Sequence, residues 1–297
     1  MLLGKSNART EGVLIMNCKL ALLISLLLFG CGNESTTVSD LSIIGGSSVP
    51  NDATKQSMFP STVGIVTPTG GCTGVRIGEN TYLSAAHCFV KSGDEESTAK
   101  IFASNSYSTL VKITSIRRNS TYSGTASFPQ ERGTDIAIFS IQFKAESEKK
   151  AWDRFVTAAS LDYSLPMKGR DVILAGFGCA GKEAMLFLEA PVSCTNSPEF
   201  AYMKMANSKI MEMNSHYFTL RGVTNIEGTN GFISNGDSGG PVYSTSGAVI
   251  GINSAGNLSA ILVSNTIYNA ETYHSWVGFD AVRGWIDSAL TVDKSKS

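Results

Sequence analysis

The sequence predicts an all-β fold built in two halves and closed by one C-terminal helix. Three observations predict it. From residue 43 onward, short runs of β-branched and apolar residues are separated by Gly, Asn, Ser and Pro at the intervals of a β-barrel or a β-sandwich. A charged stretch at 144–155 (KAESEKKAWDRF) divides these runs into two groups. Near the end, Phe279, Val282, Trp285, Ile286 and Leu290 recur at helical spacing, with Asp280, Arg283 and Asp287 on the other side.

The runs read as strands are Thr62–Thr67 (TVGIVT), Gly74–Ile77, Ile136–Ile141 (IAIFSI), Asp171–Phe177 (DVILAGF), Pro241–Tyr243 and Ala248–Asn253 (AVIGIN), and the helix spans about 279–290. No repeat of fixed period runs through the chain. Charged residues are 16 % of the 297 positions, against roughly 25 % in an average soluble protein, while Gly numbers 29 and the hydrophobic share is 42 %. That composition is too apolar for a disordered chain. The balance of 24 Lys+Arg against 25 Asp+Glu lacks the basic excess of a nucleic-acid binder. Few charges with abundant Gly, Ser and Thr fit a β-rich protein outside the cytoplasm.

The N-terminal segment is of another kind. Leu20 to Phe29 (LALLISLLLF) is uncharged, follows Lys19 and ends in Gly30-Cys31, the charge–apolar–small layout of a secretory signal. It is about half as long as the roughly 20 residues a spanning helix needs. Leu28-Phe29-Gly30-Cys31 resembles a bacterial lipobox, which implies removal of residues 1–30 and lipid attachment at Cys31. Met16-Asn17-Cys18-Lys19 makes a compact basic start, so Met16 is a second candidate for the first residue. Residues 31–42 read as a polar tether and pro-segment. Loss of residues 1–30 removes Lys5, Arg9, Lys19 and Glu11, three cations and one anion, and moves the net charge from −1 to −3. No basic patch supports membrane binding, so contact with a membrane is expected only through the lipid. The expected location is the cell envelope through Cys31, or the medium after release.

Three motifs carry chemistry: Leu83-Ser84-Ala85-Ala86-His87-Cys88, Thr134-Asp135-Ile136-Ala137 and Gly236-Asp237-Ser238-Gly239-Gly240-Pro241. Alone, the third also satisfies the Gly-x-Ser-x-Gly elbow of α/β-hydrolases. That fold needs an acid and then a His after the Ser, whereas only His274 follows and the downstream stretch lacks alternating helices. In this order the motifs resemble those of the trypsin/chymotrypsin family of serine proteases, and the resemblance runs from residue 43 to the C-terminal helix. It implies two six-stranded antiparallel Greek-key β-barrels with a C-terminal α-helix, in a domain spanning 43–297. The first barrel would cover about 43–150 and the second about 151–276.

The resemblance also implies roles. A serine hydroxyl needs a base within hydrogen-bond reach. His87 would take the proton from Ser238 and return it to the leaving amine, with Asp135 fixing the imidazole tautomer. The N–H groups of Gly236 and Ser238 would form the oxyanion hole, worth about 3–4 kcal/mol per donor. Ile43-Ile44-Gly45-Gly46 matches the N-terminus made when zymogens of the family are cut, which implies a pair between the Ile43 amine and Asp237. Ser42 is not the Lys or Arg after which typical activators of the family cut, so a different activating protease is expected. A cut there would also separate the catalytic unit from Cys31.

Cys72 and Cys88 match the disulfide beside the family's catalytic His; closing that loop is worth about 3 kcal/mol on the chain-entropy model. Cys179 and Cys194 are assigned to each other, although they do not sit at the family's usual positions, with two reduced core thiols as the alternative. An exported, oxidising location favours the bridge. Substrate-binding positions would be Phe232, Asn235, Ser254 and Gly256. Phe232 stands where trypsin-like enzymes place an Asp, and no acid lies between Phe232 and Asn235, so a preference for Lys or Arg is not expected. Ser234 replaces the Cys that normally staples this loop. No metal ligand spacing occurs among the three His, and no cofactor is implied. The expected partners are protein or peptide substrates and an activating protease, with the chain a monomer. The alternative is a non-catalytic binding or adhesion module on the same fold.

Overall fold

The computed structural model describes residues 43, 47–48, 59–67, 70–89, 97–103, 107–124, 133–178, 202–224, 231, 233–257, 261–263 and 266–294. The signal and tether assigned to 1–42, Cys31, Cys179, Cys194 and Phe232 lie outside them.

Twelve strands make two closed antiparallel barrels. The first joins β2 (Thr62–Thr67), β3 (Gly70–Arg76), β4 (Thr81–Ser84), β7 (Ala137–Gln142), β6 (Ser108–Arg118) and β5 (Thr98–Ala103) in that order around the ring. Its strands are rich in β-branched residues, which pack well on a pleated surface. Val63, Ile65, Ile101, Val111, Ile113 and Phe139 turn inward and are buried. The second joins β8 (Asp171–Gly176), β9 (Lys204–Met213), β10 (Tyr217–Thr224), β14 (Thr266–Trp276), β12 (Val249–Asn257) and β11 (Pro241–Ser244), closed by β8 against β9. Two short strands lie on this ring, β1 (Ser47–Ser48) on β9 and β13 (Ile261–Val263) on β14. Leaving those aside, both rings follow one order of first, second, third, sixth, fifth and fourth strand. Closure removes the open edges along which sheets aggregate.

The charged stretch at 144–155 is a docked helix, α1 (Glu146–Asp153), rather than a bare connection. Glu146 and Glu148 sit in its first turn, where the helix dipole favours anions. Trp152 and Val156 are buried in the core of the first barrel, and the Trp152 indole donates to the Tyr82 hydroxyl at 3.0 Å. Arg76 crosses beneath, donating to the carbonyls of Val156 at 2.5 Å and Gly78 at 3.0 Å and pairing with Asp153 at 2.7 Å.

The second helix, α2 (Asp280–Lys294), buries Val282, Ile286 and Ala289. They join a cluster that also takes Leu83 and Ile138 from the first barrel and Phe177 and Tyr243 from the second. Burial of a Val or Ile side chain stabilises by roughly 1.5–3 kcal/mol, so this helix helps to hold the barrels together. Phe59 stacks on Tyr243 with ring centres 4.7 Å apart, and the Tyr243 hydroxyl bonds Thr62 Oγ1 at 2.9 Å across the same interface. Among the described residues no helix is long and apolar enough to cross a membrane.

Candidate active site

The site lies where the ends of the two barrels meet. β4 ends at Ser84, and the chain turns into a 3-10 helix, Ala86–Phe89, that carries His87. β7 begins just after Asp135, and the register of Ser84 opposite Ala137 brings the two motifs side by side. Asp135 is fully buried and has four hydrogen bonds. Its Oδ1 accepts the backbone N–H of His87 at 2.9 Å and its Oδ2 accepts His87 Nδ1–H at 2.7 Å. The second barrel supplies the others: Ser254 Oγ on β12 donates to Oδ2 at 2.6 Å, and Ser275 Oγ on β14 to the Asp135 carbonyl at 3.3 Å. Such an acceptor set keeps the His87 proton on Nδ1 and leaves the Nε2 lone pair available as a base. Burial alone would depress His87, but the charge of Asp135 and its hydrogen bond outweigh this and hold the imidazole above its ordinary value of 6.5.

Ser238 sits half-buried in a tight turn between Gly236 and Gly239, which adopt left-handed φ values of 93° and 82°. Gly239 is required twice over, since a Cβ there would run into the Ser84 hydroxyl and the Thr73 carbonyl of the first barrel. The Ser238 carbonyl accepts the Thr73 N–H at 2.8 Å and lies 3.8 Å from Cys88 Sγ, one residue after His87. The turn is closed by Gly240 N–H to the Asp237 carbonyl at 2.9 Å and fastened to β12 by Gly239 N–H to the Asn253 carbonyl at 2.7 Å.

Asp237 is buried beside Ser238. Its Oδ1 accepts Gly178 N–H at 2.7 Å, and its Oδ2 accepts the N–H and hydroxyl of Ser234 at 2.8 and 3.1 Å. A Cβ on Gly178 would collide with this carboxylate, so the close approach demands glycine. Burial pushes the carboxyl up to about 6, against the pull of these donors and of the buried Lys204, which stands opposite Gly176 in the β8–β9 ladder. Ser234 thus serves as a twofold donor to Asp237. Ile43 is also fully buried, among Val172, Leu174 and Phe218 in the core of the second barrel, with φ at 48°. A β-branched residue seldom adopts that torsion.

Among the substrate-binding candidates, Ser254 is buried on Asp135, while Asn235 and Gly256 are exposed. Cys72 and Cys88 form a disulfide. Together with His87 their ligand atoms lie within 4.8 Å of one another, but both sulfurs are committed to that bond, so the trio is no thiolate metal site.

Sequence reasoning missed a second layer behind the turn. His274 on β14 is fully buried, stacks on Phe218 with ring centres 5.3 Å apart, and bonds Thr272 Oγ1 at 2.8 Å and Asn253 Oδ1 at 3.0 Å. Asn253 in turn donates to the Asp237 carbonyl at 3.2 Å. Burial drops His274 to about 3, so the ring is neutral and acts as a hydrogen-bonding spacer. Thr73 and Ser275 were missed as well. Only the pairing of distant strands places these residues at the site, and no local motif announces them.

Two closed barrels of one strand order, with His87 and Asp135 from the first and Ser238 from the second, define a protein of the chymotrypsin-like class. The trypsin family model matches residues 43–277, and the chain belongs to that family. Neuropsin, a serine protease expressed in the limbic system of mouse brain, is similar at 18 % identity over 78 % of this chain and 95 % of its own, with a TM-score of 0.53. Human heparin binding protein is similar at 19 % over 83 % and 96 %, TM-score 0.55. A Glu endopeptidase is similar at 16 % over 84 % and 99 %, TM-score 0.53. At these identities the likeness is one of fold. No curated protein sequence matches the chain.

Proposed function

We propose that the protein is an exported serine endopeptidase that hydrolyses peptide bonds through an acyl-enzyme on Ser238. The observation that carries the reading is the Asp135 carboxylate, buried and bonded at once to His87 Nδ1–H and to Ser254, because that arrangement holds the proton on Nδ1 and leaves Nε2 unprotonated and aimed away from the acid. In this reading His87 removes the Ser238 proton as the hydroxyl attacks the substrate carbonyl. Asp135 stabilises the imidazolium, and the oxyanion takes the N–H groups of Gly236 and Ser238. His87 then protonates the leaving amine, and water releases the acyl group by the same steps in reverse.

The enzyme is made as a zymogen and activated by cleavage of the Ser42–Ile43 bond. The φ of Ile43 supports this, since a cut there removes the torsion altogether and creates an amine that Asp237 can pair with. The absence of an acid from Phe232 to Asn235 supports a preference other than Lys or Arg. One experiment tests the set: controlled cleavage before Ile43 of the protein held through Cys31, followed by a peptide-library profile. The cut should move the protein from the membrane fraction into solution and yield cleavage without preference for Lys or Arg. A tryptic profile would overturn the pocket argument. The rival, a non-catalytic binding module, has the similar structures of the heparin binding protein in its favour. A net charge of −1 argues against a polyanion as this chain's own ligand.

A further inference from the structure

The nucleophile turn is held from two sides, and one of them belongs to a residue with no role in the three motifs. Thr73 on β3 is fully buried and has each of its polar atoms committed. Its N–H donates to the Ser238 carbonyl at 2.8 Å, and its carbonyl accepts the Ser84 hydroxyl at 2.8 Å. The side-chain oxygen accepts Phe177 N–H at 3.0 Å and donates its single proton to the Gly236 carbonyl at 2.7 Å. One hydroxyl therefore bridges the end of β8 to the Gly236–Asp237 peptide. Phe177 immediately precedes Gly178, whose N–H holds the Asp237 carboxylate.

We propose that Thr73 is a positioning residue for hydrolysis at Ser238: its hydroxyl, reaching across from the first barrel, fixes the Gly236–Asp237 peptide while its N–H holds the Ser238 carbonyl, and together they keep the turn placed so that Ser238 and its N–H face the reacting carbonyl. Gly236 is the one residue of the turn whose orientation matters to catalysis and whose glycine torsions resist rotation least. Tying its carbonyl removes the rotation about ψ by which the Gly236–Asp237 peptide would turn over and carry the following residues with it. The Asp237 side chain and carbonyl are anchored separately, by Gly178, Ser234 and Asn253. The Thr73 hydroxyl holds the carbonyl end of the upstream peptide plane, whose Asp237 N–H donates to the Ser234 carbonyl at 3.1 Å.

The proposal rests on the serine endopeptidase reading, and its test separates the two. Thr73→Val keeps the shape and removes the donor, whereas Thr73→Ser keeps the donor. On an ester substrate, in the form beginning at Ile43, Thr73→Val should lower kcat by about 10- to 100-fold with KM within about twofold. The acid limb of the pH profile, which reports His87, should stay in place, and Thr73→Ser should recover kcat to within about threefold. Amide exchange at Phe177, which loses its acceptor, should quicken about tenfold or more in the Val variant. Wild-type kcat in Thr73→Val, or a Ser variant as slow as the Val variant, overturns the proposal. Should Thr73→Val fail to fold, Thr73→Cys, a weak donor, takes its place and should fall between Ser and an inactive enzyme. Should the wild type beginning at Ile43 itself fail to hydrolyse the ester, the endopeptidase reading falls, while the exchange comparison still decides whether Thr73 holds the turn.

Discussion

Asp135 is the residue on which the chemistry of the site turns. It draws donors from both barrels, so the orientation of His87 depends on the assembly of the whole cleft as well as on its own loop. The charge of that carboxylate is also what lifts His87 above 6.5 against its own burial. The acid limb of kcat/KM should therefore lie above pH 6.5, since His87 must lose its proton to act as base. Asp135→Asn should reduce kcat/KM about 10⁴-fold near neutrality and move that limb to lower pH. An acid limb unmoved in the variant would show that another group sets it. The three catalytic candidates were legible in the sequence because each lies inside a local motif. Thr73 and His274 were not, because their roles exist only through strand register: His274 meets Asn253 across β12 and β14, and Thr73 meets the turn across the barrel interface.

Among the elements, α1 lies between the last strand of the first barrel and the first of the second, where the charged run divides the sequence, yet charge patterning did not reveal that it docks. The run KAESEKKAWDRF contains a single large apolar side chain before its last residue, and a stretch so polar suggests a connection between halves. In the fold, that one Trp152 makes the difference: it enters the core of the first barrel and donates to Tyr82, while Arg76 secures the helix end. Trp152→Ala removes a fully buried indole together with its hydrogen bond to the Tyr82 hydroxyl, which should cost about 3–5 kcal/mol in urea unfolding. A loss below about 1 kcal/mol would mean that α1 is merely resting on the barrel. The C-terminal helix was the easier element to foresee, since Val282 and Ile286 stand at helical spacing and both are buried. The strands β9, β10 and β14 were harder, because polar residues such as Lys204, Thr272 and His274 face inward there.

Those inward polar groups govern how the stability of the folded chain depends on pH. Burial holds His274 neutral in the fold to about pH 3, whereas the unfolded ring takes a proton near 6.5. Its contribution is present above pH 6.5 and is lost as pH falls, at about 1.4 kcal/mol per unit for one proton. Asp237 works the other way. Its folded value of about 6 exceeds the 3.8 of the unfolded group, so its contribution is present below 3.8 and is lost as pH rises to about 6. Between about pH 4 and 6 the proton gained by unfolded His274 balances the one held by folded Asp237, and the two slopes cancel. Asp237→Asn removes that balance. From pH 6 down to 4 the uncut variant should lose about 1.4 kcal/mol per unit relative to the wild type; parallel stability curves would contradict the assignment.

The two barrels bring His87 and Asp135 from one half to Ser238 of the other, and the central claim is that this arrangement makes Ser238 a nucleophile. A fluorophosphonate probe followed by peptide mapping measures that most directly, on the form beginning at Ile43 with Ser238→Ala as control. Covalent modification confined to Ser238, lost in Ser238→Ala and slowed in His87→Ala, is the result expected. A correctly cut, folded protein that takes up no probe would contradict the claim and leave the fold with a binding role.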